Sequence, residues 1–482
     1  MLSPEPRRFG VRGFAPCVTP HTGVLHYQEP TTSQDLYASG TESVTIRSAL
    51  AQAARQRWRL VSGDVKSAFL QAPLTQEGGE LIAMRPPSIL VRAGVVERGE
   101  VWLLTKALYG LRSAPRVWSE YRDKTLAAME VRDGESQRIY MEKAVSDPNL
   151  WILRRPSESS GDGESLPARG SRTDQAEGDS LPARGSRTGQ AEGGSLPAKG
   201  SRTDKGSIVG LMLVYVDDLL ITGEDDVLEA VKRTIEGTWA IPSWTRAHVE
   251  GIRFCGLEVV QGADPRSPQG EAGSQEDFTI HMHQKSYIKN LLEKHGVTDR
   301  AVSPLSAWTE PEPEVNPDLG AVRQAQGLCG ELTWLISRSR VDLIFAVHCM
   351  ARFCLKAPQV ALEVGKGILK YLNATQDLAI IYRTQVEPFG ESGEIPQDRN
   401  REMLEVQVDA SHAPLGGRSQ HAVVIFYHGA PVAWDCGRQT ITALSSTESE
   451  VIGGHSRNAI RRERSSSYNR NDRQRPRAGY VN

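Results

Sequence analysis

The chain has 482 residues, 57 of them Lys or Arg and 59 Asp or Glu, for a formal net charge of −2. That balance excludes a global basic footprint, so a nucleic-acid surface would have to be local. Hydrophobic content of 39% and charged content of 24% suit a soluble globular chain of about three domains. No apolar run approaches the ~18–20 residues of a membrane span. Six cysteines without a CxxC pair argue against a disulfide framework or a zinc site and suit a reducing compartment.

Residues 1–40 are rich in Pro, Gly and Thr and show no clear period, and the N-terminal "MLSPEPRRFGVRGFAP" lacks the apolar core of a signal peptide. From Ser43 to Trp58, Val44, Ile46, Leu50 and Ala53 or Ala54 recur at helical spacing. "RLVSGDVKSAFLQAPL" reads as a short strand ending at Asp64, then a helix-like stretch. "VWLL" is a candidate strand, Pro115 suits the first turn of the next helix, and "DPNLWILRR" is a further strand. Residues 163–206 carry a Gly-, Ser- and Arg-rich unit of period 15, present three times, with almost nothing to bury. A solenoid repeat must bury a face, so this segment is expected to be a disordered insertion; the alternative is a basic tether.

Order is expected to resume with "SIVGLMLVYVDDLLITG", a strand, tight turn and strand. "DDVLEAVKRTIEG" and "HQKSYIKNLLEKHG" have helical spacing, the second stopped by Gly296. A Pro- and Glu-rich linker spans 305–320, residues 321–375 read as all-helical, and a polar linker covers 384–401. Consecutive strands and a helix start follow, to Gly454. Residues 455–482 hold eight arginines against two acids and no apolar period. They read as out-of-frame or mis-spliced sequence, or as a basic nucleic-acid arm.

Asp217 and Asp218 stand side by side inside an apolar run, where burying an unpaired carboxylate costs several kcal/mol, roughly. On their own they read as a hairpin turn, which Asp favours. Asp64 ends an earlier strand. Three carboxylates on strand ends of one sheet would converge as hard oxygen ligands for divalent cations. Two such ions about 4 Å apart serve an in-line displacement at phosphorus.

"DVKSAFL", "LYGLRSAPRVW" and "LVYVDDLLITG", in that order, resemble the reverse transcriptase of copia-type (Ty1/copia) retrotransposons. "FCGLEV", "HQKSYIKNLL", "SRVDLIFAVHCMARF" and "ILKYLNATQDLAIIY" agree with it. The resemblance implies an α+β chain. A right-hand polymerase has fingers and palm at 43–304, interrupted by the repeat, and a helical thumb or connection at 305–383. A partial ribonuclease H-like α/β domain follows at 402–454. Residues 1–42 would be a remnant of the fingers, with Arg12 of "RRFGVRGF" a candidate contact to triphosphate, and 455–482 an unstructured basic tail.

Carried over residue by residue, the resemblance implies that Asp64, Asp217 and Asp218 are the catalytic, metal-binding carboxylates, with Asp64 and Asp217 the main ligands. The Val65 carbonyl would complete a metal shell, and Phe69 would exclude a 2′-hydroxyl; otherwise it is a core phenylalanine. Tyr109, Gly110 and Arg112 would lie beside nucleotide and template, with Arg112 and Arg116 equally readable as solvated charges. Tyr215 and Val216 would contact the primer end or be plain strand residues. "VQVDASHA" and "ALSSTESEVIG" resemble ribonuclease H and make Asp409 and Glu450 metal ligands there, Glu448 an adjacent acid. The later strands of that domain are not found, so little or no hydrolysis is expected.

The implied cofactors are two Mg²⁺ ions, with Mn²⁺ as a substitute. The implied partners are an RNA template, a DNA primer, RNA–DNA hybrid, deoxynucleoside triphosphates and other segments of a polyprotein, with no membrane. The implied location is a cytoplasmic virus-like particle or the nucleus. Zinc-knuckle, aspartic-protease and integrase motifs are not found and would have to lie on other segments. The competing readings are a degenerate, inactive fragment and a non-catalytic nucleic-acid-binding scaffold.

Overall fold

In the computed structural model, residues 40–74, 82–156, 206–262, 278–306, 308–384, 404–412, 418–443 and 445–449 are described, together with the backbone of the strand pair Pro16–Val18 and Leu25–Tyr27. Arg12, residues 163–205 of the repeat, Glu450 and residues 451–482 lie outside the described residues.

Helix α1 (Ser43–Gln56) forms where Ile46, Ala49, Leu50, Ala53 and Ala54 recur at helical spacing, and all five are buried. It stops at Arg57, whose left-handed backbone (φ 56°) turns the chain into strand β1 (Arg59–Asp64). The helix-like stretch expected after Asp64 is a single 3-10 turn, Ala68–Gln71, entered through left-handed Ser67 (φ 54°). Pro73, just beyond it, has no N–H with which to extend a helix. Helix α2 (Ala114–Ala128) opens with Pro115 in its first turn. Strands β2 (Val131–Arg132), β3 (Arg138–Lys143), β4 (Leu150–Arg155), β5 (Ser207–Tyr215) and β6 (Asp218–Gly223) follow, then α3 (Asp225–Glu236) and β7 (Trp244–Arg246).

These strands form one antiparallel sheet in the order β7-β1-β6-β5-β4-β3-β2. Its central strands are buried on both faces, which is why they read as nearly unbroken apolar runs. Successive side chains alternate sides. Val61, Met212, Val214, Leu219 and Ile221 join a cluster with α2 and α3, while Leu60, Leu211, Leu213 and Leu220 join a second cluster with α1. Arg155 and Ser207 are register partners at the ends of β4 and β5, so the long segment between them leaves and re-enters the sheet at one place.

Beyond β7, a hairpin of β8 (Ile252–Phe254) and β9 (Leu257–Gln261) pairs with β10 (Ile280–His283). Helices α4 (Lys285–Lys294), α5 (Leu319–Arg338), α6 (Ile344–Phe353) and α7 (Pro358–Ala374) then build a separate apolar cluster. Helix α5 starts at Leu319, inside the expected linker, because the Asp318 carboxylate accepts the Ala321 N–H at 2.8 Å and caps it. Strand β11 (Ile380–Tyr382) returns to β10 and completes a four-stranded sheet.

Strands β12 (Leu404–Ser411), β13 (Gln420–Tyr427) and β14 (Ala430–Arg438) make a three-stranded antiparallel sheet. Its Ala430 and Val432 belong to the α1 cluster. The Trp434 indole donates to the Ile336 carbonyl near the end of α5 (2.7 Å), and the Tyr427 hydroxyl donates to Gln52 (2.7 Å). Among the described residues, no helix is long and apolar enough to cross a membrane.

Candidate metal centre

Strands β5 and β6 are joined by a two-residue turn, Val216–Asp217, that pairs Tyr215 with Asp218. On its other side Asp218 pairs with Asp64, the last residue of β1. The register therefore sets the carboxylates of Asp64, Asp217 and Asp218 at one end of the sheet, with one oxygen of each within 4.8 Å of the others. This is the only metal-ligating group of His, Cys, Asp or Glu among the described residues. The Val65 N–H donates to the Asp217 carbonyl at 3.0 Å and locks the end of β1 against the turn.

The expected hairpin turn is present, and it is what brings the three carboxylates to one place. Asp64 is exposed and the other two are half-buried. Burial, then the neighbouring Asp217 and Asp64 carboxylates, push the Asp218 carboxyl up to about 6. Three like charges this close are a standing repulsion that a divalent cation would relieve. An all-oxygen donor set without His or Cys fits Mg²⁺ or Mn²⁺.

Val216 has φ 57°, in the left-handed region, and Asp217 does not share it. Positive φ in the centre of a two-residue hairpin turn is a conformation that Gly adopts most easily. A β-branched residue there costs about 1–2 kcal/mol. The Val216 carbonyl accepts the indole N–H of Trp118 at 2.7 Å and an Nη1–H of Arg122 at 3.2 Å, both from α2. Trp118 and Arg122 are almost wholly buried. Arg122 also donates to Asp123 Oδ1 and Asn149 Oδ1.

The end of β5 is tied further. Val214 N–H donates to the Asn149 carbonyl (2.9 Å), and the Val214 carbonyl accepts from Thr41 Oγ1 (2.7 Å). Asp147 accepts the N–H groups of Asn149 and Glu42. Gly40 lies so close to the Tyr215 ring that a Cβ there would fall 2.3 Å from it. Sequence reading missed Trp118, Arg122, Asp147, Asn149 and Thr41. Trp118 and Arg122 stand four residues apart on one face of α2, but a sequence alone does not reveal that their N–H groups meet a turn about 95 residues away.

The other expected site residues are placed as follows. Phe69, on the 3-10 turn after β1, stacks on Tyr109 with ring centroids 4.8 Å apart and a 51° tilt, and also packs on the core. Gly110 has φ 91°, which only glycine adopts freely, and Arg112 is half-buried. Arg116 is exposed and pairs with Glu120 at 3.2 Å, as a solvated helix charge does. Asp409 lies exposed on β12 opposite Ala422 and joins no metal-ligating group among the described residues. Glu448 is half-buried, and its backbone N–H donates to Ser445 Oγ at 3.1 Å.

Residues 26–152 match the reverse transcriptase (RNA-dependent DNA polymerase) family, a span that includes Asp64, Phe69 and the "LYGLRSAPRVW" segment. Sequence similarity thus marks residues 26–152 as like a reverse transcriptase domain, and the relatives that match most of the chain are Pol polyproteins of transposons. The chain is 25% identical over 418 residues to the retrovirus-related Pol polyprotein from transposon RE1 of Arabidopsis thaliana, covering 85% of this chain and 22% of that protein. Similarity to the polyprotein from transposon RE2 of the same plant is 26% over 419 residues, with the same coverage. The polyprotein from transposon TNT 1-94 of Nicotiana tabacum is 23% identical over 430 residues, 87% of this chain and 25% of that protein. The chain thus spans about a fifth to a quarter of the length of these relatives.

Proposed function

We propose that the chain is an RNA-directed DNA polymerase that extends a primer 3′ end with deoxynucleoside triphosphates. The observation that carries this reading is the meeting of Asp64, Asp217 and Asp218 at the end of one sheet, with Asp64 inside the span that matches the reverse transcriptase family. Asp64 and Asp217 would hold Mg²⁺, with Asp218 beside them and the Val65 carbonyl available to the same shell. When bound, the cations supply activation of the primer hydroxyl and neutralisation of the leaving pyrophosphate.

The chain's own residues do the positioning. Tyr215, at the end of β5 before the turn, would contact the primer end. Phe69, which packs against Tyr109, would sit under the incoming sugar and exclude a 2′-hydroxyl. Gly110 and Arg112 would line the nucleotide and template side. In this reading α4–α7 serve as the thumb or connection. The β12–β14 sheet serves as a support seated on α1.

The test is primer extension by purified protein on an RNA template with deoxynucleotides and Mg²⁺. Product that depends on metal and disappears in Asp217→Asn supports the reading. No product, or equal product from the variant, refutes it. Template binding without product would favour the non-catalytic scaffold.

A further inference from the structure

The Val216–Asp217 peptide is the central peptide of the turn, and its orientation separates one turn type from another. Its carbonyl points at two buried donors, Trp118 Nε1 at 2.7 Å and Arg122 Nη1 at 3.2 Å. The residue that supplies it is a valine in a left-handed conformation, φ 57°, where the backbone on its own prefers a glycine. A turn with this strain persists only when its surroundings over-determine it. The surroundings here are α2.

Trp118 is fully buried and packs on Trp239 at 5.5 Å and Tyr121 at 6.0 Å between ring centroids, so its ring has fixed walls. Arg122 is held by Asp123 and Asn149, and Asp123 is in turn paired with Lys143. The two donors are therefore rigid, and the carbonyl conforms to them. If the peptide flipped, the Val216 carbonyl would leave both donors, and Asp217 would change direction relative to Asp64 and Asp218.

We propose that Trp118 and Arg122 are positioning residues: their hydrogen bonds to the Val216 carbonyl hold the strained turn that gathers the three carboxylates, and so set the affinity of the site for a divalent cation. This rests on the metal-site reading above. It assigns to α2 a role in cation binding that its side chains perform without touching the cation.

The experiment measures Mn²⁺ binding to the full chain by electron paramagnetic resonance, without nucleic acid, so that primer contacts at Val216 do not enter. Trp118→Phe keeps an aromatic side chain in the pocket, though a smaller one, and removes the N–H. It is expected to weaken Mn²⁺ binding about five-fold, the loss of one net hydrogen bond. Val216→Gly removes the strain, so the Trp118→Phe/Val216→Gly pair is expected to bind within about two-fold of Val216→Gly alone. A residue that only fills the core would give additive losses instead. Arg122→Lys keeps the charge beside Asp123 but cannot span Asp123, Asn149 and the carbonyl together, and is expected to weaken binding about three-fold by the same reasoning. It serves as the test should Trp118→Phe fail to fold. Unchanged Mn²⁺ affinity in the variant that folds, or strictly additive losses, overturns the positioning role. Wild-type protein that binds no Mn²⁺ overturns the metal-site reading and this inference with it.

Discussion

Arg47 on α1 is 3% exposed, and its guanidinium joins three parts of the chain. Its Nε–H donates to the Val432 carbonyl in β14 at 2.6 Å. Its Nη1 donates to the Ser337 and Arg338 carbonyls at the end of α5, at 3.0 and 2.9 Å. The guanidinium also lies 3.9 Å from the centre of the Trp434 ring. Burial, partly offset by Tyr382 and reinforced by Arg338, pushes its pKa down to about 10. A drop of that size corresponds to roughly 3 kcal/mol of penalty on the charged form.

Against this stand three charge-assisted hydrogen bonds of about 1.5–3 kcal/mol each and a cation–π contact of about 1 kcal/mol. Arg47→Met keeps the apolar stem over Trp434 and removes the donors, leaving carbonyls of α5 and β14 without them. The expected cost is about 3 kcal/mol in urea denaturation. Amide exchange should rise first in β13 and β14 while β5 and β6 stay protected. A variant as stable as wild type, or more stable, would refute the reasoning. It would mean that desolvation of the buried charge outweighs its bonds, as it does for some buried ion pairs.

Two further outcomes follow from the charges. Burial and the like charges of Asp217 and Asp64 raise Asp218 to about 6, so its ionisation weakens the metal-free fold as pH rises through 4 to 6, and the full cost is present at pH 8. The group is half-exposed, so a nominal ~3 kcal/mol is screened to about 1 kcal/mol. Asp218→Asn in EDTA at pH 8 should therefore unfold about 2–4 °C higher than wild type and gain less from added Mg²⁺. Scanning fluorimetry reads both, and a lower midpoint in EDTA would contradict the repulsion. His428, in the β13–β14 turn, is driven down to about 4 by burial and then by Arg55, whose Nη1 lies 2.9 Å from its Nδ1. Between pH 6.5 and 4 the unfolded chain binds a proton that the folded chain refuses, so stability is full above about 6.5 and is lost as pH falls toward 4. The loss should be about 2 kcal/mol in urea midpoints between pH 7.5 and 4. It should shrink in His428→Asn, a residue that accepts the left-handed backbone there (φ 49°). Equal pH sensitivity in the two proteins would exclude His428 as the source.

The sequence by itself determined the local elements and the three acids. The spacing of Ile46, Leu50 and Ala53 is enough for α1, because helical periodicity is a property of neighbours in the chain. "VYVDDL" is enough for a tight hairpin, and the order of three motifs is enough to select Asp64, Asp217 and Asp218. Boundaries were read less well where one capping or turn residue decides them. Asp318 moved the start of α5, and left-handed Ser67 with Pro73 cut a helix to one turn. Only the tertiary structure decided which distant groups meet. The register of β1 on β6 puts Asp64 opposite Asp218, the fold of α2 over the hairpin delivers Trp118 and Arg122 to the Val216 carbonyl, and α1 receives the β12–β14 sheet through Arg47. These contacts join residues from about 95 to almost 400 positions apart. No periodicity records them, since they depend on which buried faces pack together and where that packing leaves a donor beside a carbonyl.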